Sequence, residues 1–283
     1  MNKKKSVRRR KCRIKYFIKI LFMIIMLVTV CYAADKIINM NGDDKEGAEK
    51  IRNLAVSSRN AKQSEQLAYI MKNKDNYTTD LIELAKRNSE AIKFVYDYPE
   101  NKDNKIDISI DKDIDCNGVP LFMQWDERWG YDKYGDGIIG INGCGPTCLS
   151  MVATYILKNN YMNPEWIADF SEESGYVSDN GTLWALMGSG ARKLGLESIE
   201  IPLDENRVYS NLEVGNPIIC SVGPGDFTTE GHFIVLAGLE DGKIIVNDPN
   251  SRKNSKKRWT FDEIKGQIKN LWVFRWDKNS YTE

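Results

Sequence analysis

The hydrophobic period of this chain changes once, from helical to extended, and that change constrains the fold more than any other feature. Apolar residues recur at helical spacing after Gly143, at Cys148, Leu149, Val152, Tyr155 and Ile156. Two more helices are predicted, over Pro164–Phe170 and Thr182–Lys193. The 3.6-residue period therefore dominates the first half of the region that follows residue 116.

After about residue 197 the pattern is that of strands. Short apolar runs cover 218–222, 233–239 and 244–246, and Asp241-Gly242 forms a hairpin turn between the last two. Helices first and strands afterwards predict an α+β fold, in which N-terminal helices pack on a C-terminal antiparallel sheet. A chain of 283 residues holds one such domain and accessory segments.

The N-terminus has the charge order of a membrane-targeting segment. Lysines and arginines crowd the stretch from Lys3 to Lys15, and an uncharged apolar run follows from Ile20 to Ala34. Residues 1–34 are therefore predicted to be a signal anchor or a cleaved signal peptide, and not a nucleic-acid-binding arm. The expected location is the cell membrane, single-pass, with the bulk of the chain extracytoplasmic, or secretion if the segment is cleaved.

Three regions separate this segment from the main domain. Residues 35–48 are polar and rich in Asp and Gly, as in a linker. Residues 49–100 are predicted to be a helical stalk or pre-domain, with Thr79 and Ser89 as caps and Pro99 as the stop; a propeptide that blocks the active site is the alternative. Residues 101–115 are charged, although alternating isoleucines over 106–110 would suit an edge strand. The main domain is expected over 116–277.

Six cysteines are present, of which Cys12 and Cys31 belong to the targeting segment. The other four, at positions 116, 144, 148 and 220, are too few for a disulfide scaffold in a domain of this size. No pairing is assigned.

Cys144 has the setting of a nucleophile. It is expected at the N-terminus of the helix that follows Gly143, where the helix dipole lowers the pKa of a thiol. Its own N–H is free there to bind an oxyanion, and the flanking glycines allow close approach of a substrate. Gly-Cys-Gly alone would fit a buried structural cysteine equally well.

His232, the single histidine of the chain, strengthens the case for a site. It stands at the start of an apolar strand, and Asp248 follows it, so that thiol, imidazole and carboxylate come in the order of papain-like catalysis. A hairpin closed by Asp241-Gly242 would bring His232 opposite residues 249–251, next to Asp248. Asn247 is the alternative orienting residue, and a purely turn-forming Asp before Pro249 is the structural alternative.

These residues carry a resemblance to the papain-like peptidases related to the bacteriocin-leader-processing, double-glycine peptidase domain. It spans about residues 116–275 through five blocks in order: Val119–Gly130, Gly143–Thr147, Gly223–Thr228, Gly231–Val235 and Asn247–Pro249. The resemblance implies a papain-like cysteine peptidase. No ABC-transporter segments follow the domain, so the free-standing type is expected, and no metal or cofactor is expected.

The same resemblance implies a role for each site residue. Cys144 would be the nucleophile, His232 the base and then the acid, and Asp248 the orienting group. Gln124 would be a second oxyanion donor, for which Asn142 could substitute. Asn142, Gly143 and Gly231 are the predicted substrate-binding residues.

The expected function is hydrolysis of a peptide or amide bond through an acyl-enzyme, with a peptide or protein as substrate. Three alternatives stay open. A metal site would use Cys144, Cys148 and His232, although the helical pattern directs Cys148 into the core. A noncatalytic surface binding module would keep the fold alone. Acyl transfer or cell-wall amide cleavage would use the same triad with a different acceptor or substrate.

Overall fold

The computed structural model describes residues 42–114, 117–178 and 181–276, with side chains from residue 56 onward. The described residues up to Lys62 and those from Gln63 onward belong to two compact units. The predicted signal anchor or signal peptide over 1–34 lies outside the described residues. Within the described ranges, no helix has both the length and the apolar character needed to span a membrane.

Three helices open the described chain: α1 (Gly42–Lys72), α2 (Thr79–Arg87) and α3 (Ile92–Asn101). The linker expected over 35–48 is thus helical from residue 42, because acidic residues in a first helical turn are favourable. The caps differ by one residue from those predicted. Thr78 accepts a bond from the backbone N–H of Leu81, and Asn88 caps the 3-10 helix Ser89–Ala91.

Two predictions for this N-terminal region are wrong. Pro99 does not end α3, because a proline in the last turn removes a single backbone hydrogen bond and the helix continues to Asn101. The isoleucines over 106–110 do not form a strand. Ile110 is fully buried in the core while Ile106 is 54% exposed, and the short helix α4 (Asp111–Ile114) follows.

The next elements lead to the central helix. They are the hairpin β1 (Lys133–Tyr134) and β2 (Gly137–Ile138), the helices α5 (Ile139–Asn142), α6 (Cys144–Leu157) and α7 (Pro164–Glu173), and the hairpin β3 (Val177–Ser178) and β4 (Gly181–Thr182). The helix expected over 182–193 is interrupted. Thr182 pairs with Val177 in a strand, the 3-10 helix Trp184–Leu186 follows, and α8 covers only Ser189–Lys193.

The C-terminal half forms the sheet. Its elements are β5 (Leu196–Glu200), α9 (Glu205–Glu213), β6 (Ile218–Val222), β7 (His232–Glu240), β8 (Lys243–Asn247), α10 (Arg252–Lys256), β9 (Arg258–Trp259), α11 (Phe261–Ile264) and β10 (Ile268–Trp276). The six strands lie in the order β5-β10-β6-β7-β8-β9, and all neighbours are antiparallel. The predicted mixture of helices with an antiparallel sheet is confirmed.

Alternating side chains of the sheet enter two hydrophobic clusters. Phe233 and Val235 of β7 pack in the cluster of α6, with Leu149 and Val152. Ile234 of β7 packs on the opposite side, in a cluster that includes residues of α9 and α11. Helices therefore cover both faces, and α6 is fixed against β7, so that the N-terminus of α6 lies at one end of that strand.

A third cluster joins the N-terminal helices to the domain. Ile70, Leu81, Leu84, Phe94 and Val95 are buried in it with side chains from the stretch before α6, namely Met123, Trp125 and Tyr131. Helices α2 and α3 thus share a core with the residues that lead to Cys144.

Candidate active site

The thiol of Cys144 stands at the first residue of α6. Gly143 precedes it as N-cap and has no side chain that could cap the first turn, in which the Gly145 N–H is a hydrogen-bond partner of the Cys144 sulfur. A Cβ on Gly143 would lie 2.6 Å from the Ile139 carbonyl oxygen, and one on Gly145 would lie 2.6 Å from the Thr182 side chain. The two glycines are therefore needed for the tight turn into the helix and for the packing beside the thiol.

The imidazole of His232 lies between a carboxylate and the thiol. Its Nε2 is 2.8 Å from Oδ1 of Asp248, and its ring is a hydrogen-bond partner of Cys144. Strand β7 pairs with β8 through Val235 and Asn247, so the same register continued by three residues would bring His232 opposite residue 250. The hairpin predicted from Asp241-Gly242 thus brings His232 and Asp248 together, and the packing of α6 on β7 places Cys144 beside them.

Asp248 is fully buried, and each of its carboxylate oxygens accepts at least one hydrogen bond. Oδ1 also accepts a bond of 2.9 Å from the backbone N–H of Asn250, and Oδ2 accepts one of 2.8 Å from the Asn254 side chain. The Asp248 N–H donates to Ser255 Oγ at 2.9 Å. This network fixes the carboxylate in the orientation that the His232 ring requires.

Asn247, the alternative orienting residue, points elsewhere. Its Nδ2 donates to the carbonyls of Val119 and Pro120, each at 3.0 Å. It ties the end of β8 to the first residues of the domain, and Asp248 is the side chain that meets the imidazole.

Electrostatics favour a charged pair. Burial disfavours an imidazolium, but the carboxylate and hydrogen bond of Asp248 and the contact with Cys144 raise the pKa of His232 to about 10. Burial also raises the pKa of the Cys144 thiol, yet the hydrogen bond and charge of His232 and the N–H groups of Phe233 and Gly145 bring it below its ordinary value of 9.0. Both shifts stabilise a thiolate beside an imidazolium.

Gln124 lies close to the loop before Cys144 but does not present a free donor. Its Nε2 donates to the carbonyls of Gly140 at 3.1 Å and Ile141 at 3.0 Å, while its buried Oε1 has no hydrogen-bond partner among the described residues. Both amide hydrogens hold α5 in place. An oxyanion contact from this side chain would require one of these two bonds to be exchanged.

The predicted substrate-binding residues are placed unevenly. The Asn142 side chain turns away from the thiol, because its Nδ2 donates to the Tyr134 carbonyl at 3.4 Å and to Asp136 Oδ1 at 3.0 Å. Gly231 is exposed beside His232, and a Cβ added to it would meet no atom within 4 Å, whereas Gly143 is buried in the turn. Asn142 thus braces the β1–β2 hairpin, and Gly231 leaves open space at the imidazole.

Sequence reasoning missed the residues that support Asp248. Asn250 closes a turn on the carboxylate two residues earlier, and Asn254 reaches back from α10. The run Asp248-Pro249-Asn250-Ser251 carried a usable signal for the first of these, because an Asp side chain commonly accepts the N–H two residues on. No local pattern indicated Asn254.

The chain is similar in sequence to a family of peptidases. A sequence model described as the Peptidase_C39 like family matches residues 116–282. No curated protein matches. Among solved structures, the peptidase domain of Streptococcus ComA, a bi-functional ABC transporter involved in a quorum sensing pathway, is 26% identical; the match covers 47% of this chain and 90% of that one, with a TM-score of 0.37.

A second solved structure is described as a putative C39-like peptidase from Bacillus anthracis. It is 14% identical over 55% of this chain and 94% of that one, with a TM-score of 0.33. Both TM-scores are low, so the assignment rests on the family model and its span.

Proposed function

The chain belongs to the Peptidase_C39 like family of cysteine peptidases, and from that premise we propose that it hydrolyses a peptide or amide bond outside the cytoplasm through Cys144, His232 and Asp248. The observation that carries the proposal is the buried 2.8 Å contact between His232 Nε2 and Asp248 Oδ1, with Cys144 as the other partner of the ring. Nucleophile, base and orienting group then act as one unit.

The first step is acylation of Cys144. The thiolate attacks the substrate carbonyl carbon, a C–S bond forms, and the carbonyl π electrons move to the oxygen. The N–H of Cys144, at the positive end of α6, stabilises this oxyanion. His232, which holds a proton in the resting pair, gives it to the leaving amine as the C–N bond breaks.

The second step releases the acid. His232 is now neutral and removes a proton from a water molecule, which attacks the thioester carbonyl. The C–S bond breaks, the Cys144 thiolate returns, and the imidazolium is restored. Asp248 keeps Nε2–H of His232 engaged throughout, so that Nδ1 is the atom that exchanges protons with substrate and water.

The proposed location rests on the order of charges at the N-terminus. The basic run and the apolar stretch Ile20–Ala34 would hold residues 1–34 at the membrane, with the catalytic domain, proposed over 116–277, on the outer side. The proposed partners are a peptide or protein substrate and, through the N-terminal segment, the membrane.

The test is labelling of Cys144 by a peptide vinyl sulfone in the folded full chain. The ion pair should make Cys144 the labelled thiol at neutral pH, whereas Cys148 and Cys220 are buried and stay unlabelled. Mass spectrometry identifies the modified residue, and the denatured protein, in which all thiols react, is the control.

A comparison of surface and secreted peptides from cells with wild-type chain and with Cys144→Ala then identifies the substrate. Cleaved peptides should disappear in the variant. A folded protein that the vinyl sulfone does not label, beside a denatured control that it does label, would refute the proposed hydrolase.

A further inference from the structure

We propose that the helical pair α2 and α3, with the short 3-10 helix between them (Thr79–Asn101), is a built-in positioning element that holds the Asp248 carboxylate on the His232 ring. This inference rests on the proposed function of Asp248. The helical pair lies before the region that the family model matches, which begins at residue 116.

Asn88 makes the first contact. Its Nδ2 donates to the Asn250 carbonyl at 2.7 Å and approaches the Asn250 side-chain oxygen at 3.2 Å. Its own Oδ1 accepts the N–H of Glu90 at 3.0 Å, and this bond fixes the backbone at Glu90. The Asn88 side chain therefore caps the start of the 3-10 helix and also fastens the turn that follows Asp248.

Glu90 makes the second contact. Its two carboxylate oxygens accept the backbone N–H groups of Arg252 at 3.1 Å and Lys253 at 3.0 Å. These are the first residues of α10, where the N–H groups have no partner within the helix and a negative charge is favourable. Glu90 thus caps α10 from a distant part of the sequence.

The two contacts converge on the two oxygens of Asp248. The turn that Asn88 holds supplies the Asn250 N–H to Oδ1, the same oxygen that meets His232. The helix that Glu90 caps carries Asn254, whose Nδ2 binds Oδ2 at 2.8 Å. Asn250 therefore links Oδ1 directly to the helical pair, and Asn254 links Oδ2 to it through the backbone of α10.

The helical pair also supports the loop before the nucleophile. Phe94 stacks on Tyr131 with ring centroids 4.4 Å apart, and the Tyr131 hydroxyl donates to the Phe94 carbonyl at 3.0 Å. A Cβ on Gly140 would lie 2.5 Å from the Phe94 ring, so this contact depends on glycine. Gly140 is also an acceptor of the Gln124 amide, three residues from the N-cap of α6.

The turn over residues 250–253 is contacted by charged and hydrogen-bonding side chains of the helical pair. It is also contacted by Trp125 of the main domain. Trp125 Nε1 donates to the same Asn250 carbonyl at 3.1 Å, and the Arg252 guanidinium lies 4.4 Å from its ring. A turn after a strand end is ordinarily among the more mobile parts of a domain. Asn88 and Glu90 add hydrogen bonds to this turn from the helical pair.

The experiment measures the protonation of His232 in the full chain, purified without a histidine tag. Because His232 is the single histidine, the 13Cε1 shift of 13C-labelled histidine reports its titration without assignment. The test variant is Asn88→Ala with Glu90→Gln, and the matched control is Glu83→Gln, which removes an exposed ion pair with Lys86 on the same α2. The rate of Cys144 alkylation by iodoacetamide is measured alongside.

In the double variant the pKa of His232 should fall by about one unit, because a loosened carboxylate stabilises the imidazolium less. Alkylation of Cys144 near neutral pH should stay within about twofold of wild type, because a His232 pKa lowered by about one unit from about 10 leaves the imidazolium formed there. The Glu83→Gln control should match wild type in both. A purely structural contribution of the helical pair would lower thermal stability and leave the His232 titration where it is.

The outcomes separate this inference from the proposed function. A wild-type His232 without a raised pKa and a Cys144 no more reactive than an ordinary thiol would refute the function. A raised wild-type pKa that the double variant retains would overturn the inference alone. Should the double variant prove unfolded by circular dichroism, the single variants Asn88→Ala and Glu90→Gln, each lacking one contact, are titrated in its place under the same criterion.

Discussion

The first two turns of helix α6 each carry a cysteine, and the two thiols are opposite in chemistry. Cys144 begins the helix and is half-buried, whereas Cys148, one turn later on the same backbone, is fully buried. The pKa of Cys144 is lowered, while burial raises the pKa of Cys148 well above its ordinary value of 9.0. Residue type and helix are the same, so the surroundings decide which thiol ionises more readily.

Three surroundings differ between these turns. The first turn has no side-chain cap, the imidazole of His232 lies beside its thiol, and the N–H groups of Phe233 and Gly145 donate to that thiol. The second turn lies in the apolar cluster of α6, where the negative charge of a Cys144 thiolate further disfavours ionisation of Cys148. A single turn of helix therefore separates a thiol of lowered pKa from one whose pKa burial raises.

His232→Ala should reduce the difference between the two thiols more than any other change. Without the imidazole, Cys144 loses its largest stabilising partner and the proton donor for the leaving group, and its pKa should move upward toward that of Cys148. Turnover should fall by roughly 10⁴-fold. Steady-state kinetics on a substrate identified by the peptide comparison measures the loss.

Alkylation of the same variant gives the control. Cys144 labelling at neutral pH should drop sharply, while Cys148 stays unlabelled in both proteins. If His232→Ala kept wild-type turnover, the imidazole could not be the base of this site.

Asp248→Asn should have the second-largest effect. The amide oxygen of the variant still accepts from Nε2, but the negative charge that helps to raise the pKa of His232 is lost. We expect a fall of about 10²-fold in kcat, with KM nearly unchanged because Asp248 is fully buried. In the same variant, the decline of activity at high pH should begin at a lower pH.

Asn247→Ala is the matched variant for Asp248→Asn. It removes the bonds to the Val119 and Pro120 carbonyls, so it should lower the free energy of unfolding. The pH at which activity declines on the alkaline side should stay that of wild type. An unchanged rate in Asp248→Asn together with a strongly reduced rate in Asn247→Ala would return the orienting role to Asn247.

Much of this site was predictable because its determinants are local. A glycine before an apolar helix marks the position of Cys144, and the Asp241-Gly242 turn sets the register that brings His232 and Asp248 together. Hairpin turns and helix starts are encoded within a few residues. The antiparallel sheet followed from the same short-range signals.

Other features were not predictable because they depend on distant partners. Strand β10 lies between β5 and β6, and its pairing joins positions far apart in the sequence, from Ile268↔Val222 to Trp276↔Leu196. The helix expected from Thr182 is broken because Thr182 pairs with Val177 instead. The contact of Asn88 with Asn250 likewise joins distant segments and has no local signature.

The protonation of Cys144 and His232 sets the expected pH dependence of activity. The reactive pair requires a deprotonated Cys144, whose pKa lies below 9.0, and a protonated His232, whose pKa is about 10. Activity should therefore rise with pH through the pKa of Cys144, stay level, and decline as pH increases through about 10. Rates of iodoacetamide alkylation give the acid arm, and kcat/KM gives both arms.

Beyond each edge of this plateau kcat/KM should change by up to about tenfold per pH unit. In Asp248→Asn the alkaline edge should move to lower pH. A decline that begins near pH 6.5, the ordinary pKa of histidine, would show that Asp248 does not stabilise the imidazolium.

Cys148→Ala should have the smallest effect on catalysis and tests the second turn of α6. The side chain is fully buried among apolar residues, and its thiol has no place in the proposed mechanism. Turnover should change by less than about twofold, while the cavity left by the sulfur should lower the free energy of unfolding by about 1–2 kcal/mol. Denaturant unfolding and kinetics on the same sample measure both. Cys144→Ala should do the reverse, with turnover lost and stability little altered. A Cys148→Ala protein that is stable but inactive would therefore mean that the second turn of α6 belongs to the site and not to the core.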